Sequence, residues 1–143
     1  MQAHDLSKHI INWCYDKDID ITNLKLQKLL YFIQIGYYRI ADERLIDDDF
    51  YAWQLGPVIP GVYSEYSIYS SSTLPYQNDC LVLSNDVSLI IDCILKHYAY
   101  IRTWDLVAMS TLTDCWRYTY EIFGDKSMIP YECIKVQSLK YLV

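Results

Sequence analysis

The stretch Ile21–Tyr69, ITNLKLQKLLYFIQIGYYRIADERLIDDDFYAWQLGPVIPGVYSEYSIY, decides how this chain is built. Thr22 or Asn23 can accept a hydrogen bond from an otherwise orphan backbone N–H, so either one suits a helix N-cap. The spacing predicts a helix from there to about Ala41. Leu26, Leu29, Leu30, Ile33, Tyr37 and Ile40 form its main apolar stripe, and Leu24, Tyr31, Phe32, Ile35 and Tyr38 make the other faces apolar too. A helix that is apolar nearly all round is covered on several sides and therefore central. ADERLIDDD reads as a turn. FYAWQ (50–54) alternates and is aromatic, which predicts a strand. Gly56-Pro57 breaks that strand. Pro60 fits the first turn of a further helix, about 60–70, where its missing N–H costs nothing.

Outward from this stretch the pattern stays helical. Leu6, Ile10, Trp13 and Cys14 give one apolar stripe over residues 4–16. SSSTLPYQND is a loop, and CLVL (80–83) predicts a second short strand paired with 50–54. Ser84 as N-cap and Val87, Ile90, Ile91, Ile94, Leu95 and Tyr98 predict a helix over 85–100. Thr103 caps a short helix over 104–110 that carries Leu106, Val107 and Met109. Asp114 caps the next one, CWRYTYEIF, which Gly124 ends in a left-handed conformation. Pro130 opens a last helix to about Leu142. The expected fold is mainly α. It is a single compact helical domain, 1–143, of about six to seven helices with a minor two-stranded β element at 50–54 and 80–83.

Composition narrows the function. The 143 residues are 52% hydrophobic and 21% charged, with four Gly and four Pro. A domain of this size buries roughly 70% of its unfolded surface and needs no metal or disulfide staple. The net charge is −6, with Asp47, Asp48 and Asp49 as the densest local charge. Nucleic-acid binding normally requires a basic patch, so no nucleic-acid partner is expected; acidity suits solubility or a basic protein partner. The five cysteines form no C-x-x-C pair, which points to reduced, buried thiols in a cytoplasmic protein. MQAHDLSKHI lacks the pattern of a signal peptide. No apolar run reaches the roughly 18 residues of a membrane span.

Catalytic chemistry is not visible. His4 and His9 are five residues apart and so on different helix faces, His97 stands alone, and HExxH, GxSxG, GxxxxGK and GxGxxG are missing. Neither enzyme, metal nor cofactor is expected. What stands out is an excess of aromatics, with 15 Tyr, 4 Trp and 3 Phe. Tyr and Trp are enriched at the buried centres of protein interfaces. A strand, a Gly-Pro corner and a helix make a rigid platform, which would present Trp53, Gln54, Tyr63 and Tyr66 to a partner. Of these, Tyr63, Tyr66 and Gln54 are expected to be more exposed than Trp53.

Two runs of this stretch resemble the Panacea antitoxin domain, a family that includes SocA-type antitoxins and phage-associated GepA-like proteins. The first is Leu24-Lys25-Leu26-Gln27-Lys28-Leu29-Leu30-Tyr31-Phe32. The second is Phe50-Tyr51-Ala52-Trp53-Gln54-Leu55-Gly56-Pro57-Val58-Ile59-Pro60 followed by Val62-Tyr63, and weaker similarity continues through Leu106–Ser110, Trp116 and Ile129-Pro130. The family often carries a histidine after Ser or Thr shortly before the tryptophan matching Trp116; Ser110-Thr111 has none. The resemblance implies a helical domain in which Leu26, Lys28, Tyr31, Gly56, Pro57, Val58 and Trp116 build the motif. It also implies an antitoxin whose partner is a cognate toxin protein. Neutralisation is then by direct binding, or alternatively by adaptor delivery of the toxin to an AAA+ protease; a phage or mobile-element anti-defence protein is the other expectation.

Overall fold

The computed structural model describes residues 1–140. In chain order these form α1 (Ala3–Asp16), α2 (Asn23–Ala41), β1 (Phe50–Trp53), β2 (Gly56–Val58) and α3 (Pro60–Tyr66), which continues into a 3₁₀ turn at Ser67–Tyr69. Then come α4 (Asn85–Tyr98), α5 (Thr103–Thr111), α6 (Asp114–Phe123), β3 (Ser127–Ile129) and α7 (Tyr131–Gln137). The fold is mainly α, as expected, with a small antiparallel sheet.

α2 is the axis. Thr22 is its N-cap and accepts from the Lys25 N–H at 3.3 Å; Asp42, in left-handed geometry, ends it. Fourteen of its nineteen residues are buried, and it packs on α1, α3, α4, α5, α7 and β2. Leu26, Leu29, Leu30, Tyr31, Phe32, Ile33 and Ile35 are all sealed in one core with Ile10, Phe50, Leu95 and Ile134. Burying each such side chain stabilises by about 1.5–3 kcal/mol, so a helix covered on every side carries much of the core. Ile40, placed by spacing in the main stripe, is exposed, while Tyr37 and Tyr38 carry the buried side of the last turns.

The β element departs from expectation. β1 pairs antiparallel with β2, Tyr51 opposite Val58 and Trp53 opposite Gly56, and with β3, Phe50 opposite Ile129. The sheet order is β2-β1-β3. Residues 80–83 form no strand: both edges of β1 are taken, and Leu81 and Val82 (98% exposed) have no face to bury. Gly56-Pro57 does not end the β structure but lies in β2. Pro57 is tolerated there because β2 is an edge strand. The last helix stops at Gln137, short of the expected Leu142, which lies outside the described residues. The caps of α5 and α6 are Arg102 and Thr113, one residue before Thr103 and Asp114. Gly124 follows α6 with φ +96 and ψ 178, so it takes a positive φ but not the left-handed helical geometry expected. All five cysteines are free. Cys14 and Cys115 are buried as expected, while Cys93 and Cys133 are exposed on the outer faces of α4 and α7.

Candidate functional site

The polar residues of the α2 run staple the next segment to the core. Lys28 Nζ donates to the Pro57 carbonyl at 2.9 Å. Gln27 accepts from the Ile59 N–H at 3.0 Å and donates to Asn23 Oδ1 at 3.1 Å. Asn23 in turn donates to the Tyr63 carbonyl at 3.0 Å. Three consecutive pieces, β2, its exit and α3, are thus fixed to one helix by side chains that are themselves buried. Lys28 is fully buried, and burial pushes its ammonium down to about 7.

The β1–β2 turn is Gln54-Leu55, followed by Gly56 at φ +107. A Cβ on Gly56 would meet Ser110 Oγ at 2.4 Å and Lys28 Cε at 3.0 Å, so glycine is required both by conformation and by space. Ser110 is held by donation to the Val107 carbonyl, and Thr113 donates to the Ser110 carbonyl at 2.6 Å. The Tyr31 hydroxyl lies 2.7 Å from Thr113 Oγ1 and 2.6 Å from Cys115 Sγ. Burial holds the Tyr31 phenol well above its ordinary range and pushes the Cys115 thiol up to about 11, so both stay protonated. The Trp116 indole N–H donates to the Trp53 carbonyl at 3.0 Å and ties β1 to α6.

These staples hold up one wall of a groove of about 1030 Å³. Trp53, Gln54, Leu55 and Tyr63 line it from the β1–β2 turn and α3. Trp53 and Tyr63 meet edge to face, ring centroids 5.0 Å apart, a contact that adds about 0.5–1.5 kcal/mol beyond burial. Trp104 and Asp105 line it from the first turn of α5, Asp125 and Lys126 from the α6–β3 turn, and Thr22 and Leu24 from α2. Trp104 is 65% exposed, Leu55 42% and Tyr63 38%. The structure therefore brings three of the four expected partner residues, Trp53, Gln54 and Tyr63, to one surface.

Tyr66 is a correction. It was expected to be exposed, but it is 2% exposed, its ring in the core and its hydroxyl 3.4 Å from Gln77 Oε1. Val62 and Tyr66, four residues apart, form the buried stripe of this short helix, and Tyr63 lies at its edge, turned to the groove. The motif residues Leu26, Lys28, Tyr31, Gly56, Pro57, Val58 and Trp116 are all buried, with Val58 also reaching the groove. Trp104, Asp105 and Lys126 were not singled out from sequence. Trp104 fits none of the buried spacing of α5, and an aromatic off the stripe was the available signal.

Residues 26–117, more than half of the chain, match the model of the family described as Antitoxin SocA-like, Panacea domain. The chain belongs to that family. The matched stretch runs from Leu26 in α2 to Arg117 in α6 and includes the groove residues Trp53, Tyr63 and Trp104, but not Thr22, Asn23, Leu24, Asp125 and Lys126. Antitoxin SocA of Caulobacter vibrioides (strain NA1000 / CB15N) is 40% identical to this chain over 65 residues, 43% of this chain and 35% of that protein. The chain thus spans about a third of the length of the curated relative it matches. No solved structure is detectably similar. Among the described residues, no helix is long and apolar enough to cross a membrane.

Proposed function

We propose that this chain, acting as one Panacea-type unit over residues 1–143, is the antitoxin of a toxin–antitoxin system and neutralises a cognate toxin protein by binding it directly. It does so in the cytoplasm, without catalysis, cofactor or nucleic acid. Family membership supports the antitoxin role. The observation that carries the binding mode is the groove: Trp53, Leu55, Tyr63 and the largely exposed Trp104 converge on one surface held rigid from below. Tryptophan and tyrosine are enriched among binding hot spots, and a preorganised platform keeps the ordering cost of association low.

The test is co-expression with the neighbouring open reading frame. The neighbour alone is expected to arrest growth, this chain to restore it, and the two to co-purify as a stoichiometric complex. Restored growth with the neighbour disappearing from the cell, and recovered when AAA+ proteases are deleted, would replace masking by adaptor delivery. A harmless neighbour, or arrest that this chain does not relieve, would remove the antitoxin reading.

A further inference from the structure

We infer that the groove selects its partner by a cationic side chain, a lysine or arginine on an otherwise apolar segment, received between the Trp53 and Trp104 walls. This rests on the binding role proposed above and names the chemistry of what enters.

The chain already holds a cation in that place. Lys126 Nζ lies 5.3 Å from the centre of the Trp53 ring, within the range of cation–π attraction. Its backbone is pinned by donation of the Lys126 N–H to the Ala52 carbonyl at 2.7 Å, and it takes φ +66, a left-handed conformation unusual for lysine. Lys126 is exposed, so its ammonium is not sealed in by packing. It stands on the electron-rich face where a partner's ammonium or guanidinium would stand.

The remaining charges favour the same sign. Arg102 is occupied by Asp105 at 3.4 Å. Asp125, next to Lys126 in the α6–β3 turn, has no ion-pair partner among the described residues. The whole chain carries −6, which steers basic partners toward it and repels acidic ones. A basic residue entering the groove would displace Lys126 from Trp53 and pair with Asp125, while apolar neighbours on the partner cover Leu24, Leu55 and Trp104.

The test uses the purified full chain with indole N–H resonances assigned, titrated separately with a dodecapeptide repeating Arg-Leu-Ser and its Glu-Leu-Ser counterpart. The Arg peptide is expected to shift Trp53 and Trp104 while leaving Trp13 unmoved. Trp13 is an internal control, since it also carries a lysine, Lys17, at 5.6 Å. K126A is expected to tighten the Arg peptide about two- to five-fold by vacating the ring. D125N is expected to weaken it, and added salt to weaken it further. Equal or tighter binding of the Glu peptide at Trp53 and Trp104, equal shifts at Trp13, or looser binding by K126A would each overturn the inference. The two proposals fail separately. Growth rescue with no Arg-peptide binding in the groove leaves the antitoxin role standing without cation selection; the converse leaves a cation-selecting groove without a toxin.

Discussion

Lys28 offers the sharpest test of how the motif helix works. Its ammonium is sealed between α2 and β2 and donates to the Pro57 carbonyl, and burial lowers its pKa from 10.5 to about 7. Between those values the unfolded chain holds a proton that the folded chain has released. Stability therefore rises with pH across this window, and the penalty is felt in full below pH 7. For this one group, going from about pH 7 to about pH 8.5 should add about 1.5–2 kcal/mol. For a domain of this length that is a rise of about 5 °C in Tm. The window stops there because the buried thiols Cys14 and Cys115, both pushed up to about 11 from 9.0, act with the opposite sign. Above about pH 9 the unfolded chain ionises both while the folded chain does not, and their combined effect then outweighs that of Lys28, so stability falls. The assay is thermal or urea unfolding of the wild type and Lys28→Met across this range, with carbon-13 NMR of the lysine Cε atoms to locate the titration. The wild type should gain stability and Lys28→Met should lose that slope. Equal slopes in the two proteins, or every lysine titrating above pH 9.5, would refute a buried, deprotonating Lys28.

Other perturbations probe separate parts of the molecule. Gly56→Ala places a methyl 2.4 Å from Ser110 Oγ at a positive φ, and should cost about 3 kcal/mol or more in denaturant unfolding; a cost below about 1 kcal/mol would mean the turn relaxes freely. Tyr31→Phe removes the hydroxyl between Thr113 and Cys115 and should cost about 1–2 kcal/mol, with the far-ultraviolet circular dichroism unchanged. Trp104→Glu, at an exposed position, should leave Tm within about 2 °C of the wild type while abolishing growth rescue in co-expression. Full rescue by that variant would move the binding surface away from the groove.

The central helix was legible in the sequence for a physical reason. Leu26, Leu29, Leu30 and Ile33 repeat at helical spacing. The sheet was not legible. β2 reads as a breaker because Pro57 lacks an N–H, and only its position at a sheet edge makes it acceptable. β3 is three residues, Ser127–Ile129, too short to show alternation, whereas the apolar run at 80–83 looked like a strand but had no edge to join. Site residues from the motif itself, Trp53, Gln54 and Tyr63, were found because that stretch is dense in aromatics. Tyr66 was misplaced because its polar neighbours say nothing of the side of α3 it faces. Trp104 and Lys126 were missed because their closeness to Trp53 is made by the chain's return, not by spacing.

Because the groove draws on residues from Thr22 to Lys126, no fragment shorter than that span carries all of its lining. The binding surface exists only once α2, the hairpin, α5 and the α6–β3 turn are together, so affinity and global folding are linked by mass action. A bound partner should shield the whole chain from proteases, and a single cut that unfolds the free chain should abolish capture completely instead of weakening it by degrees. A cell that destroys unbound copies would then switch neutralisation off in one step.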